Sequence, residues 1–461
     1  MFQAKTYIDR RKTLKEKVRS GLILFFGNDE SPMNYTDNTY HFRQDSTFLY
    51  YFGIQHPGLA AIIDIDNDRE IIFGNDYTID DIVWMGPQPQ ISERAEKCGV
   101  SNVRPVKMLK EVLDVAKGKG QNIHFLPLYR PENKIKLFEL AGVSPRDLSD
   151  LYSLGLVKAV VSQREIKTDE EIAELHRAVD VSVDMHVAAM KFAKPGMTEA
   201  EVTAEIHKVA LAAGGNIAFP IIATINGQTL HNHYHGNMIK GGDMFLVDAG
   251  FETSMGYAGD LSSTFPVGKK FTSEQKEIYE ITLKAHEAAI NALEYQKPFK
   301  NAHIAASTTI FDGLKSMGFT KGNAEDAFEA GAHALFFPCG TGHMMGLDVH
   351  DMEDLGEIWV GYDGQSKSTQ FGLKSLRLAK PLKMGHVFTV EPGIYFIPEL
   401  IDLWKGQNKF TEFINWERVN NYRNFGGIRN EEDFFMTREG AKLLGKPKPK
   451  TIAEVEKVRN W

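Results

Sequence analysis

Asp248 closes an apolar run, Met244-Phe245-Leu246-Val247, and Asp260 follows beyond a glycine turn in Tyr257-Ala258-Gly259-Asp260. The two acids therefore fall near adjacent strands of one antiparallel pair. A carboxylate at the end of a buried strand costs free energy unless something positive meets it. Further along, His343 lies among glycines, and Glu391 follows the apolar Val387-Phe388-Thr389-Val390 and precedes Pro392-Gly393. Glu431 stands in the run Arg429-Asn430-Glu431-Glu432-Asp433. Singly, each has an ordinary reading as a turn former, a solvated strand residue or part of an acidic surface face. Together, four carboxylates and one imidazole are a ligand set for two hard or borderline divalent metals. Carboxylates brought to ~4 Å repel by roughly 4 kcal/mol per pair at an effective dielectric of about 20, and two dications balance four of them. Ligation dominated by oxygen with a single imidazole favours Mn²⁺, with Co²⁺ or Fe²⁺ as alternatives and Mg²⁺ also compatible. Two metals about 3.5–4 Å apart supply hydroxide near neutral pH and clamp a tetrahedral intermediate.

The elements that would carry these residues can be read from their caps. Thr168 with Glu171 opens a helix whose apolar face is Ile172, Leu175, Val179, Val183, Val187 and Met190, stopped by Lys194-Pro195-Gly196. Thr198 with Glu201 opens a second, closed by Gly214-Gly215. The plan recurs downstream, with a helix from Ser273 to Glu294, a break at Lys297-Pro298-Phe299, and a helix ending at Met317-Gly318. Each helix pair is followed by strands bearing metal-type residues, which predicts an internal α/β duplication with the site between its halves. Before it, residues 1–160 read as a smaller mixed α/β domain, with strands at Leu22–Phe26, a hairpin across Asn67-Asp68, a helix near Met108–Ala116, and an aromatic core strand at Phe48–Phe52. Residues 161–461 form the second domain.

With 461 residues, 43% of them apolar, the chain is long enough for two domains and a large core. A net charge of −8 argues against nucleic acid or an anionic membrane as partner. Two cysteines cannot build a disulfide framework, so a reducing, cytoplasmic setting is expected. The basic N-terminal stretch lacks the apolar core of a secretory signal, and no apolar run approaches the roughly 20 residues of a membrane span.

In order and local setting, these motifs resemble the pita-bread metallopeptidases, in the branch of the Xaa-Pro peptidases. The carriers are Val247-Asp248-Ala249-Gly250, Tyr257-Ala258-Gly259-Asp260, Gly342-His343 through His350-Asp351, Thr389-Val390-Glu391-Pro392-Gly393, and Gly427-Ile428-Arg429-Asn430-Glu431. Phe42-Arg43-Gln44-Asp45-Ser46 with Phe52-Gly53 resembles the N-terminal domain of that branch. The resemblance implies an α/β (α+β) pita-bread catalytic domain behind a smaller mixed α/β domain. It also implies cleavage of the Xaa-Pro bond at the N-terminus of peptides. Asp248 would chelate one metal, His343 and Glu391 the other, and Asp260 and Glu431 would bridge. Glu391 would also accept the proton of the attacking water, His233 and His350 would assist the intermediate, and Arg429 would line the pocket. Trp84 and Arg377 resemble contacts to the substrate ends, while His231 and His235 are read as structural.

The expected partners are peptides with proline second and further copies of the chain, as a homodimer or higher oligomer. Cys339 stands where the family has a histidine on the proline side. A dipeptidase restricted to Xaa-Pro is the alternative activity, since the long segment 397–424 resembles that sub-branch. A binding module with little catalysis is a third reading, disfavoured because all five ligand positions are kept.

Overall fold

The computed structural model describes residues 1–460. Two compact units emerge: one of Met1–Arg164 with Met352–Gly356, the other of Glu165–Asp351 and the chain from Glu357 onward.

The first unit is built on a five-stranded sheet. Strands β1 (Leu22–Phe26), β2 (Ala60–Asp64), β3 (Arg69–Phe73), β4 (Val103–Arg104) and β5 (Ile123–His124) lie in the order β4-β3-β2-β1-β5. The antiparallel pairs β1/β2 and β2/β3 form the centre, with parallel strands at both edges. The helix Leu109–Gly118 lays Leu109, Val112, Leu113 and Ala116 on the apolar cluster beside it. Arg11, fully buried, donates to Glu70 and to the carbonyls of Tyr51 and Cys98, which satisfies a charge that would be costly alone.

The aromatic stretch Phe48–Phe52 is not the expected strand but part of a helix, Ser46–Phe52. Asp45 caps it by accepting from the Phe48 amide, and Gly53 ends it at φ 65°. Every residue of this helix is buried, so no polar face marks its 3.6-residue period and the apolar run reads equally well as a core strand.

In the second unit the helix Asp169–Phe192 packs on Glu199–Ala212, and both open with the expected capping boxes. Behind them come β6 (Asn216–Ile217), β7 (Ile222–Thr224), β8 (Met244–Ala249), β9 (Phe251–Glu252) and β10 (Leu261–Pro266), with β10-β8-β7 as one antiparallel sheet and β6/β9 as a short pair. The layout then repeats. Helices Ser273–Asn291 and Lys300–Ser316 pack together. They lead to β11 (Val387–Val390), β12 (Gly393–Tyr395), β13 (Gly427–Arg429), β14 (Glu432–Thr437) and β15 (Gly440–Leu443). Here β11-β14-β15 form one sheet and β12/β13 a pair. The second helix of the later pair ends at Ser316, and its partner at Asn291, a turn short of the expected Glu294. Two antiparallel ladders, β8/β10 and β11/β14, thus occupy equivalent places after their helix pairs. Among the described residues no helix is long and apolar enough to cross a membrane.

Candidate metal centre

Both ladders end at acids. In β8/β10, Asp248 lies opposite Ser262 and Ala249 opposite Leu261, so Asp260 sits just before β10 at the end of β8 where Asp248 stands. In β11/β14, Val390 pairs with Glu432. Continuing that register by one residue sets Glu391 across from Glu431. The connections are tight. A Cβ on Gly250 would lie 1.8 Å from the carbonyl oxygen of Gly259, and one on Gly342 would lie 2.1 Å from that of Thr389. Only glycine permits such approaches. The second lets the histidine segment run beside β11: the Thr389 amide donates to the His343 carbonyl (3.0 Å), and the Glu391 amide to that of Thr341 (2.7 Å).

The outcome is a cluster. Asp260, His343 and Glu431 each offer a ligand atom within 4.8 Å of the others' atoms, and all three are buried. Among the described residues this is the one such group of three or more. His343 Nε2 lies 3.3 Å from Asp260 Oδ2 and 3.7 Å from Glu391 Oε1. Its Nδ1 is 3.1 Å from the Met344 carbonyl, a contact that suits a proton on Nδ1 and turns Nε2, the nitrogen a cation would take, toward the acids. Asp248 Oδ2 accepts from Arg429 (2.6 Å), while its Oδ1, buried, has no hydrogen-bond partner. Ser262 Oγ donates to Glu431 Oε2 (2.7 Å).

The electrostatics test whether cations fit. Burial pushes Asp248 up to about 7, Arg429 opposing the rise and Asp260 and Glu391 adding to it. Glu391 is raised by burial, and Glu431 is raised well above its usual range by burial and then by Asp260 and Glu391. Burial would lower His343, but its contacts with Asp260 and Glu391 overcome this and raise it. Acids that repel one another's charge, an orphaned carboxylate oxygen and an imidazole nitrogen aimed at them together are a donor set suited to divalent cations.

Arg429 is the organising cation. Buried on β13, it donates to Asp248, to Ser262 Oγ (2.8 Å) and to the Tyr395 hydroxyl (3.0 Å). Asp433, also buried, accepts the Asp260 amide at 3.0 Å. Ser262, Tyr395 and Asp433 escaped the reading of the sequence. Ser262 had a signal, because Ser262 and Thr264 lie two apart on β10, in step with Asp260 just before it, and Thr264 Oγ1 exchanges hydrogen bonds with the Arg429 backbone.

Of the remaining candidates, His350 stacks edge-on to His343 with ring centroids 4.3 Å apart, and its Nδ1 accepts from Arg377 Nε at 3.3 Å. Burial, then the neighbouring His343 and Arg377, hold it down at about 2, so its ring is neutral with the proton on Nε2. His231 interacts electrostatically with Arg429, Arg377, His233 and Asp260, and is lowered chiefly by burial. The sequence reads this histidine as structural, and its electrostatic interaction with Asp260 and Arg429 brings it into consideration beside His233. His235 is tied to the Ile221 carbonyl at 3.0 Å. Cys339 Sγ lies 3.9 Å from the Tyr395 hydroxyl, and burial pushes its thiol up to about 12, so it is no thiolate nucleophile. Trp84 belongs to the first unit, 86% exposed on the helix Ile79–Met85.

Residues 173–438 match the profile of metallopeptidase family M24, and residues 7–124 that of the aminopeptidase P N-terminal domain. The chain is 31% identical to the Xaa-Pro dipeptidase of Homo sapiens, covering 97% of this chain and 91% of that protein. It is 30% identical to a probable Xaa-Pro aminopeptidase of Aspergillus niger, covering 95% and 92%. Its fold is similar to that of aminopeptidase P from E. coli solved with the inhibitor Pro-Leu, at a TM-score of 0.81 and 26% identity over 99% of this chain and 98% of the other.

Proposed function

The chain belongs to metallopeptidase family M24, and from that premise we propose that it is an Xaa-Pro aminopeptidase, removing the first residue of peptides whose second is proline. The observation that carries the reading is the buried meeting of Asp260, His343 and Glu431, with Asp248 and Glu391 beside them, at the ends of two equivalent ladders. Asp248, Asp260, His343, Glu391 and Glu431 would hold two divalent ions, with Mn²⁺ the preferred metal. When bound, the ions lower the pKa of water and polarise the scissile carbonyl.

The chain's own groups do the rest. Glu391 accepts the proton of the attacking water. Its side chain is 20% exposed, against 7% for Asp260 and 5% for His343, which leaves it the more accessible of these groups. His350 offers Nε2–H to the oxyanion, its tautomer fixed by the donation from Arg377. His231 and His233 serve the same intermediate from their loop. Arg429 holds Asp248 in place and lines the pocket, and Arg377 is assigned to a substrate end. The reading extends to a cytoplasmic homo-oligomer acting on proline-second peptides.

The alternative is an Xaa-Pro dipeptidase, supported by the name of the human relative and by the segment between β12 and β13. Parallel assays of an Xaa-Pro dipeptide and an Xaa-Pro-Yaa tripeptide by protein reconstituted with Mn²⁺ separate the two. Tripeptide turnover supports the aminopeptidase, and turnover of the dipeptide alone favours the alternative. Failure with both, at full metal occupancy, returns the chain to a binding module.

A further inference from the structure

The loop that carries His231, His233 and His235 has no regular structure from Ile225 to Asn237, yet both of its ends meet one side chain. Glu199, the first residue of the helix Glu199–Ala212, is fully buried. Its Oε1 accepts from Thr224 Oγ1 and from the Ile225 amide, each at 2.9 Å. Its Oε2 accepts from the Asn237 amide (3.2 Å) and from Asn237 Nδ2 (2.9 Å). The backbone repeats the attachment, since the amides of Glu199 and Ala200 donate to the carbonyls of Asn237 and His235 (3.0 Å each).

The polarity of this network is forced. A carboxylate only accepts, so the Thr224 hydroxyl must spend its one proton on Glu199 and turn its lone pairs outward. Those lone pairs take the Asn226 amide (2.9 Å) and Asn232 Nδ2 (3.1 Å). Asn232 lies between His231 and His233. One buried carboxylate thus closes the base of the loop and, through Thr224, fixes its middle.

We propose that Glu199 is a positioning residue for the reaction, holding the histidine loop so that His231 and His233 face the carboxylate cluster. This rests on the proposed role of those two histidines. Glutamine at 199 cannot reproduce the clasp. With its oxygen toward Thr224 and Ile225, its amide faces two Asn237 donors. Turned round, it faces the Ile225 amide instead.

The test is Glu199→Gln alone and in a His231→Ala/His233→Ala background. Kinetics, metal content and hydrogen exchange of residues 225–237 are read on the full chain. The expected result is about a 10-fold or greater fall in kcat/KM with metal content unchanged, faster exchange confined to the loop, and no further fall in the double-alanine background. Adding Asn237→Asp to Glu199→Gln gives the glutamine amide an acceptor and should recover part of both activity and protection. Equal losses with and without the histidines, or a loop as protected as in the parent, would overturn the proposal. If the double-alanine variant is itself fully active while exchange still rises, the histidine reading has failed and the clasp stands as structure alone, so the positioning role is overturned. Should Glu199→Gln not fold, Asn237→Ala, which removes one donor from a half-buried position, carries the same comparison.

Discussion

At the scale of single residues, the two acids at 431 and 432 separate ligation from packing. Glu431 belongs to the cluster, whereas Glu432 is ion-paired with Lys450 and lies 3.8 Å from His286 Nε2. Asp260→Asn and Glu431→Gln should each lower kcat/KM by about 10³-fold or more, with metal lost in elemental analysis, because each removes a negative ligand from a buried set. From sequence, Glu432 would be a dispensable neighbour. Its burial at 3% exposure changes that expectation from neutral to a stability loss of about 1–3 kcal/mol, read as a lower melting temperature with activity per bound metal kept. Equal loss of metal in the 431 and 432 variants would mean that the wrong acid is assigned. Cys339 is the converse case, a missing group. If the histidine that the resemblance leads one to expect here makes one hydrogen bond on the proline side, Cys339→His should raise kcat/KM by about 10-fold, the worth of ~1.5 kcal/mol. A folded, fully metallated variant no faster than the parent would show that this pocket works without that bond.

At the scale of elements, what could be read in advance was whatever leaves a local chemical mark. The capping boxes at Thr168 and Thr198 mark their helix starts, and the acids at 248 and 391 close apolar strands, so both are visible in a few residues. The all-buried helix Ser46–Phe52 has no such mark beyond its cap, and its burial is decided by tertiary packing. The buried cluster behind β11 was silent for the same reason. Glu165 is ion-paired with Lys380 and with Lys383 (2.8 Å), beside His386, the residue before β11. Burial alone would raise Glu165, but Lys380 and then Lys383 hold it at about 2, below its ordinary 4.5. A carboxylate depressed in the folded state contributes stability that is complete above pH ~4.5 and is lost as the pH falls toward 2. Glu165→Gln should therefore cost roughly 3 kcal/mol at neutral pH, with the gap from the parent narrowing below pH ~4.5. Denaturant melts across that range decide it, and a gap that stays constant with pH would refute the ionic account.

At the scale of the whole molecule, the cluster lies within one of the two compact units, and among the described residues the other holds no comparable group. Its acids come from strands far apart in sequence, so removing the cations leaves their mutual repulsion to act on β8, β10, β11 and β14 together. Ligands that bind only the folded state stabilise it by mass action, about 4 kcal/mol at a thousand times Kd. Chelation should therefore abolish hydrolysis and lower the melting temperature, and Mn²⁺ should restore both, with two ions per chain at full activity. Hydrogen exchange gives the sharper readout. Peptides covering 244–266, 387–391 and 427–437 should lose protection on chelation, while those from the sheet β4-β3-β2-β1-β5 should not. Loss of protection spread evenly over both units would show that the metals support the whole chain rather than these four strands. A single ion at full activity would remove the need for five ligands, and one of the five, Asp248 with its Arg429 partner, would then be a structural ion pair.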